Sequence, residues 1–123
     1  MKVSVIQMNM RSLESAANFD RAEALIRRAA EGAPDVIVLP ETWNTGFMPE
    51  GDLAAACDEN AAAVRARFSP LARELNVNLV AGSVSNQRGG KIFNTACVFD
   101  RAGACIAEYD KTHPCTPMGE HEV

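Results

Sequence analysis

The sequence predicts an α/β fold, and three observations carry the prediction. A short β-branched run near the N-terminus leads into a helical period and then into a second, wholly apolar run. Three more apolar runs, parted by glycine-bearing turns, follow in the second half. The length of 123 residues suits one domain, and 47% hydrophobic with 23% charged residues is ordinary for a soluble globular chain that buries a core.

Val3, Val5, Ile6 and Met8 form the first predicted strand. Ser12 to Ser15 supply side chains suited to capping the first free helix amides. Over residues 15–31 the pattern is helical, because Ala22, Leu25, Ile26 and Ala29 recur at spacings that put them on one face. Gly32 and Pro34 then read as the helix stop. The run Val36 to Leu39 is continuously apolar, as in a strand covered on both faces. Its strand–helix–strand context favours a parallel pair with a right-handed crossover. A loop rich in Asn, Thr, Gly and Pro spans residues 41–52.

A second helical region covers residues 53–75, with a break or kink expected where Ser69-Pro70 resembles a cap and first helical residue. Three strands are predicted over residues 77–83, 91–100 and 104–110, joined by turns at 86–90 and 100–103. Both alternating sets of the run from Ile92 to Phe99 contain apolar residues, so that strand belongs inside a layered sandwich. Residues 112–123 show neither period and read as a loop.

Composition excludes several function classes. A net charge of −4 and a pI near 5.1 leave no basic footprint for nucleic acid. No run approaches a membrane span of about 18 apolar residues, and the N-terminus makes a poor signal peptide. The expected compartment is the cytoplasm. Cys57, Cys97, Cys105 and Cys115 lack paired spacing and are read as free thiols, Cys97 and Cys105 as small buried hydrophobes.

Four features can carry chemistry. Glu41 follows an apolar strand and so reaches the carboxyl edge of the sheet, where open α/β sheets place their sites. Among Trp43, Phe47 and Met48 it would be partly desolvated, and desolvation raises a carboxyl pKa toward that of a working base. A loop glutamate facing water is an equal reading. Lys111, directly after a predicted strand, can stabilise an oxyanion, although pairing with Asp110 at the surface explains it more simply. His113, Cys115, Glu120, His121 and Glu122 offer metal-binding types at spacings that fit no common zinc pattern. Asn94-Thr95 reads as a structural hydrogen-bonding pair inside a strand.

Taken together, these residues resemble the nitrilase superfamily, the carbon–nitrogen hydrolases. Val38-Leu39-Pro40-Glu41 with Trp43-Asn44-Thr45-Gly46-Phe47 is similar to its first catalytic motif. Val80-Ala81-Gly82-Ser83, Phe93-Asn94-Thr95, Gly103 with Glu108-Tyr109-Asp110-Lys111-Thr112-His113, and Gly119-Glu120-His121-Glu122 resemble later segments in order. The resemblance covers residues 2–123 and implies the N-terminal part of a four-layer α-β-β-α sandwich. It implies Glu41 as general base, Lys111 as the cation beside the tetrahedral intermediate, Glu120 as an auxiliary carboxylate and Phe47 as a residue lining the substrate pocket. The loops look closest to the omega-amidase branch, which acts on small 2-oxo acid amides.

The family's nucleophile is a cysteine that follows the additional glutamate, and none of the four cysteines here matches it. Pro114-Cys115-Thr116 also departs from the apolar residues usual after the histidine. The expectation is therefore a partial hydrolase domain over residues 1–123, part of a cysteine-dependent amidase that works through a thioester. Its partner would be a small amide substrate, with neither cofactor nor metal, and the complete protein would be a homodimer. The competing reading is a non-catalytic interaction or regulatory protein that keeps the fold without the nucleophile.

Overall fold

The structure, a computed structural model, describes residues 1–113. In chain order the elements are β1 (Val3–Val5), α1 (Ser15–Ala30), β2 (Val36–Val38), α2 (Leu53–Ala56), β3 (Asp58–Glu59), α3 (Ala62–Leu75), β4 (Asn78–Val80), β5 (Val84–Arg88), β6 (Lys91–Phe99) and β7 (Cys105–Asp110). They build one seven-stranded mixed sheet. β1, β2 and β4 are parallel neighbours, with Ser4 opposite Ile37 and Ile37 opposite Leu79. β6 is antiparallel to all three of its partners: it carries β7 along one edge, and β5 then β4 along the other. The strand–helix–strand expectation for the first half holds.

Both long helices pack on one face of the sheet. Phe19, Ala22 and Ile26 of α1 and Val64, Phe68, Leu71 and Ala72 of α3 are buried there, over Ile37, Leu79, Val84, Cys97 and Phe99. Trp43 from the loop after β2 lies between the helices, its ring centroid 4.6 Å from Phe19 and 5.3 Å from Phe68. Such ring pairs each add about 0.5–1.5 kcal/mol beyond the area they bury.

The opposite face is apolar and uncovered among the described residues. Register and alternation put Val3, Val5, Val36, Val38, Val80 and Val98 on it. Val5 is 72% exposed and Val3 46%. The double coverage expected for β2 and β6 is thus met on the helix side only. The described residues supply an α layer and a β layer.

Three local expectations are corrected. The second helical region breaks at Cys57–Ala61, not at Pro70, which sits inside an uninterrupted α3. Asp58 makes the break: its carboxylate accepts from the amides of Ala63 and Val64, each at 2.9 Å, and so caps a new helix. Residues 77–88 are two strands, because the backbone turns at Gly82, and the polar residues Asn86 to Arg88 belong to β5. No serine caps α1. Glu14 is its N-cap without a side-chain bond, and the Asn18 carboxamide instead holds the Arg11 amide at 2.8 Å. At the far end of α1 the helix stops just before Gly32, as expected, and Ala33 takes the left-handed conformation.

Candidate active site

Two strand ends and the body of a third strand meet where the sequence reading placed its first two candidates. β2 delivers Pro40 and Glu41, β6 contributes Asn94, and β7 delivers Lys111. The Lys111 Nζ donates to Glu41 Oε1 at 3.2 Å. The Asn94 Nδ2 donates to the same oxygen at 2.8 Å. The Lys111 amide donates to the Asn94 carbonyl at 2.9 Å, so one residue of β6 anchors both charged partners. The carboxylate is 46% exposed and the ammonium 32%.

Among the described residues, the apolar surroundings expected of Glu41 are not found. Trp43 turns into the core and donates its Nε1 to the Ala81 carbonyl at 3.1 Å, while Phe47 and Met48 are 50% and 53% exposed. A cation and a carboxamide, rather than apolar walls, define the surroundings of this carboxylate. Nor does Lys111 pair with Asp110. Alternation sends Asp110 to the other face, where Thr95 Oγ1 donates to it at 2.7 Å and Arg88 forms an ion pair with it. Burial pushes the Asp110 carboxyl up, but the Thr95 hydroxyl and the Arg88 guanidinium outweigh it and hold it below its ordinary value.

The loop after β2 is fixed by contacts the sequence reading missed. Gly82 lets β4 pass against it: with φ +48, a Cβ at this position would lie 2.0 Å from the Pro40 carbonyl oxygen. Ser83 Oγ accepts from the Thr42 amide at 3.0 Å. Deeper, the Asn44 side chain bonds both ways with the Ser85 backbone, at 3.0 Å as donor and 2.8 Å as acceptor. Thr45 and Ser85 share a 2.7 Å hydroxyl bond, and Asn18 Nδ2 donates to the Asn44 carbonyl at 2.9 Å. Asn18, Asn44, Thr45 and Ser85 are all buried. A satisfied buried polar network specifies one loop conformation. Strain sits beside it, since Thr42, a β-branched residue at φ 44, also buries a hydroxyl without a partner among the described residues.

Phe47 is not brought to this pair. It lines a separate shallow hollow walled by Met8, Met10, Met48, Pro49 and Glu50, and not by Glu41 or Lys111. Glu120, Cys115, His121 and Glu122 lie outside the described residues. Asn94 is the functional candidate that the sequence reading assigned to structure alone. Its signal was its place one residue before a buried threonine in a strand next to Lys111's own.

Comparison with known proteins decides the family. The carbon-nitrogen hydrolase family profile matches residues 2–123. The chain belongs to this family. A hydrolase in the agr operon of Staphylococcus aureus is 37% identical over 122 residues, which cover 99% of this chain and 46% of that protein. The 2-oxoglutaramate amidase of Bacillus subtilis (strain 168) is 32% identical over 119 residues, 97% of this chain and 45% of the enzyme. Among solved structures, a cysteine-to-alanine mutant of the amidase from Nesterenkonia sp. AN1 in complex with butyramide superposes with a TM-score of 0.80 at 26% identity, over 99% of this chain and 46% of that one. The chain spans a little under half the length of these relatives. Its α layer on a β layer is accordingly part of the nitrilase-type sandwich.

Proposed function

We propose that this chain carries the base and the oxyanion cation of a cysteine-dependent amidase that hydrolyses a small carboxamide. The observation that carries the reading is the Glu41–Lys111 pair, held on one Asn94 at the ends of β2 and β7. An amide carbon is a poor electrophile, and a free thiol with a pKa of about 8.5 needs a base to attack it. Glu41 takes the thiol proton of a cysteine outside these 123 residues, and the thiolate adds to the carbonyl carbon. Lys111 stabilises the oxyanion as the tetrahedral intermediate forms. The C–N bond then breaks, the nitrogen leaves as ammonia with the proton returned by Glu41, and water hydrolyses the thioester to acid and thiol. Glu120 serves as an auxiliary carboxylate that positions substrate or base.

The butyramide complex of the Nesterenkonia relative, obtained with a cysteine replaced, supports both the substrate class and the thiol mechanism. Likeness to a 2-oxoglutaramate amidase supports an omega-amidase preference for the terminal amide of a 2-oxo acid. In the complete protein, Glu41→Gln should abolish ammonia release while leaving the fold intact. Full turnover by that variant would remove Glu41 from its role. The 123-residue chain alone should release no ammonia from butyramide or from 2-oxo acid amides.

A further inference from the structure

A second group of reactive side chains lies away from Glu41, where β6 and β7 run under α3. The β6–β7 register sets Cys97 opposite Glu108 and Phe99 opposite Cys105, with an irregularity at Val98/Phe99. Both thiols and the carboxylate thereby reach one point, and their ligand atoms all lie within 4.8 Å of one another. Cys97 is buried and Cys105 is exposed, so the sequence reading of both as buried hydrophobes holds for Cys97 alone. The group has a closed floor and an open mouth.

We infer that Cys97, Cys105 and Glu108 form a binding site for a thiophilic divalent cation of the zinc class. Two thiolates and one carboxylate are a donor set such cations accept, with water completing a tetrahedron. A tetrahedral site with metal–sulfur bonds of about 2.3 Å needs its sulfurs roughly 3.8 Å apart. Closing to that distance takes about an ångström at most, within reach of side-chain rotation at the exposed Cys105 and Glu108.

Charge supports the same assignment. Binding releases the two thiol protons to solvent. The three resulting negative ligands are then balanced by the divalent cation and by Arg65 of α3, which pairs with Glu108. Arg88 pairs with the second Glu108 oxygen and, with Arg65, fixes the position of that carboxylate beside the two sulfurs. The spacing in sequence resembles no zinc motif because the ligands converge through cross-strand register rather than along one turn.

The site is independent of the amidase reading, and its test does not use catalysis. Cobalt(II) serves as the probe on the reduced 123-residue chain, read by the sulfur-to-cobalt charge-transfer absorption and by stoichiometry. One cobalt per chain is expected, displaced by zinc. Cys105→Ser should abolish the band, as should Cys97→Ser. Because Cys105 is exposed, its variant decides the matter if the Cys97 variant fails to fold. Glu108→Gln should weaken binding by more than about 10-fold, since losing a ligand costs at least as much as losing a group that orients one. Cys57→Ser and Cys115→Ser should leave band and affinity unchanged. No charge-transfer band, a band that survives Cys105→Ser, unchanged affinity in Glu108→Gln, or a band lost with Cys57 or Cys115 would each overturn the assignment.

Discussion

At the scale of single residues, Asn94 is where the site is most exposed to test. Its carboxamide donates to Glu41 Oε1 and its carbonyl accepts from the Lys111 amide, so base and cation share one anchor. Hydrogen bonds to charged groups contribute about 1.5–3 kcal/mol, which corresponds to roughly 10–100-fold in rate when geometry is lost in the transition state. Asn94→Ala in the complete protein should therefore lower kcat by about that factor. The Michaelis constant should hardly move, since neither contact is to substrate. A merely structural role would instead lower thermal stability and leave kcat of the folded fraction intact. Gly82 is the second such residue. A Cβ there would meet the Pro40 oxygen at 2.0 Å with backbone φ +48, so Gly82→Ala should cost more than about 2 kcal/mol in urea unfolding. It should also displace Glu41, one residue on.

At the scale of elements, the β6–β7 pair carries a pH dependence. Thr95 and Arg88 hold the Asp110 carboxyl below its ordinary 3.8 against the upward push of burial. A carboxyl whose folded value is depressed adds stability that is fully present above the unfolded value and is lost as pH falls through the folded one. Wild-type melting temperature should thus fall more steeply than that of Asp110→Asn between about pH 5 and pH 2. Parallel slopes in the two proteins would show that the carboxylate contributes nothing to holding β7. Elements also show what the sequence could reveal. α1, β2 and the positions of Glu41 and Lys111 at strand ends were legible, because an apolar run followed by a polar residue encodes both burial and its limit. β5 was not, since Asn86 looks like a turn residue until its carboxamide is seen to accept from the Ala61 amide and donate to Thr95. The helix break was missed for a related reason. Asp58 caps α3 from five and six residues away, outside the usual capping spacing, while Pro70 advertised a break that packing did not need. Asn94's role depends on a partner 53 residues distant, which no local pattern reports.

At the scale of the whole molecule, the decisive feature is the uneven coverage of the sheet. One face is sealed by α1, α3 and Trp43, with Ile37, Leu79 and Phe99 fully buried. The other presents Val3, Val5, Val36, Val38, Val80 and Val98 in adjacent register positions, with Tyr109 of β7 59% exposed and opposite Ala96. Removing apolar surface from water is worth about 25 cal/mol per Å², and contiguous apolar patches of this kind mark surfaces that associate. A polypeptide of these 123 residues should therefore self-associate, face against face, at micromolar concentration in sedimentation equilibrium. Val5 is the position to probe, since it is 72% exposed and its replacement leaves the helix-side core untouched. Val5→Lys should shift the distribution toward monomer and leave the helical circular dichroism unchanged, because a charge placed within a paired apolar face carries a desolvation cost that a monomer avoids. A wild-type chain that sediments as a monodisperse monomer would show that this face needs no cover.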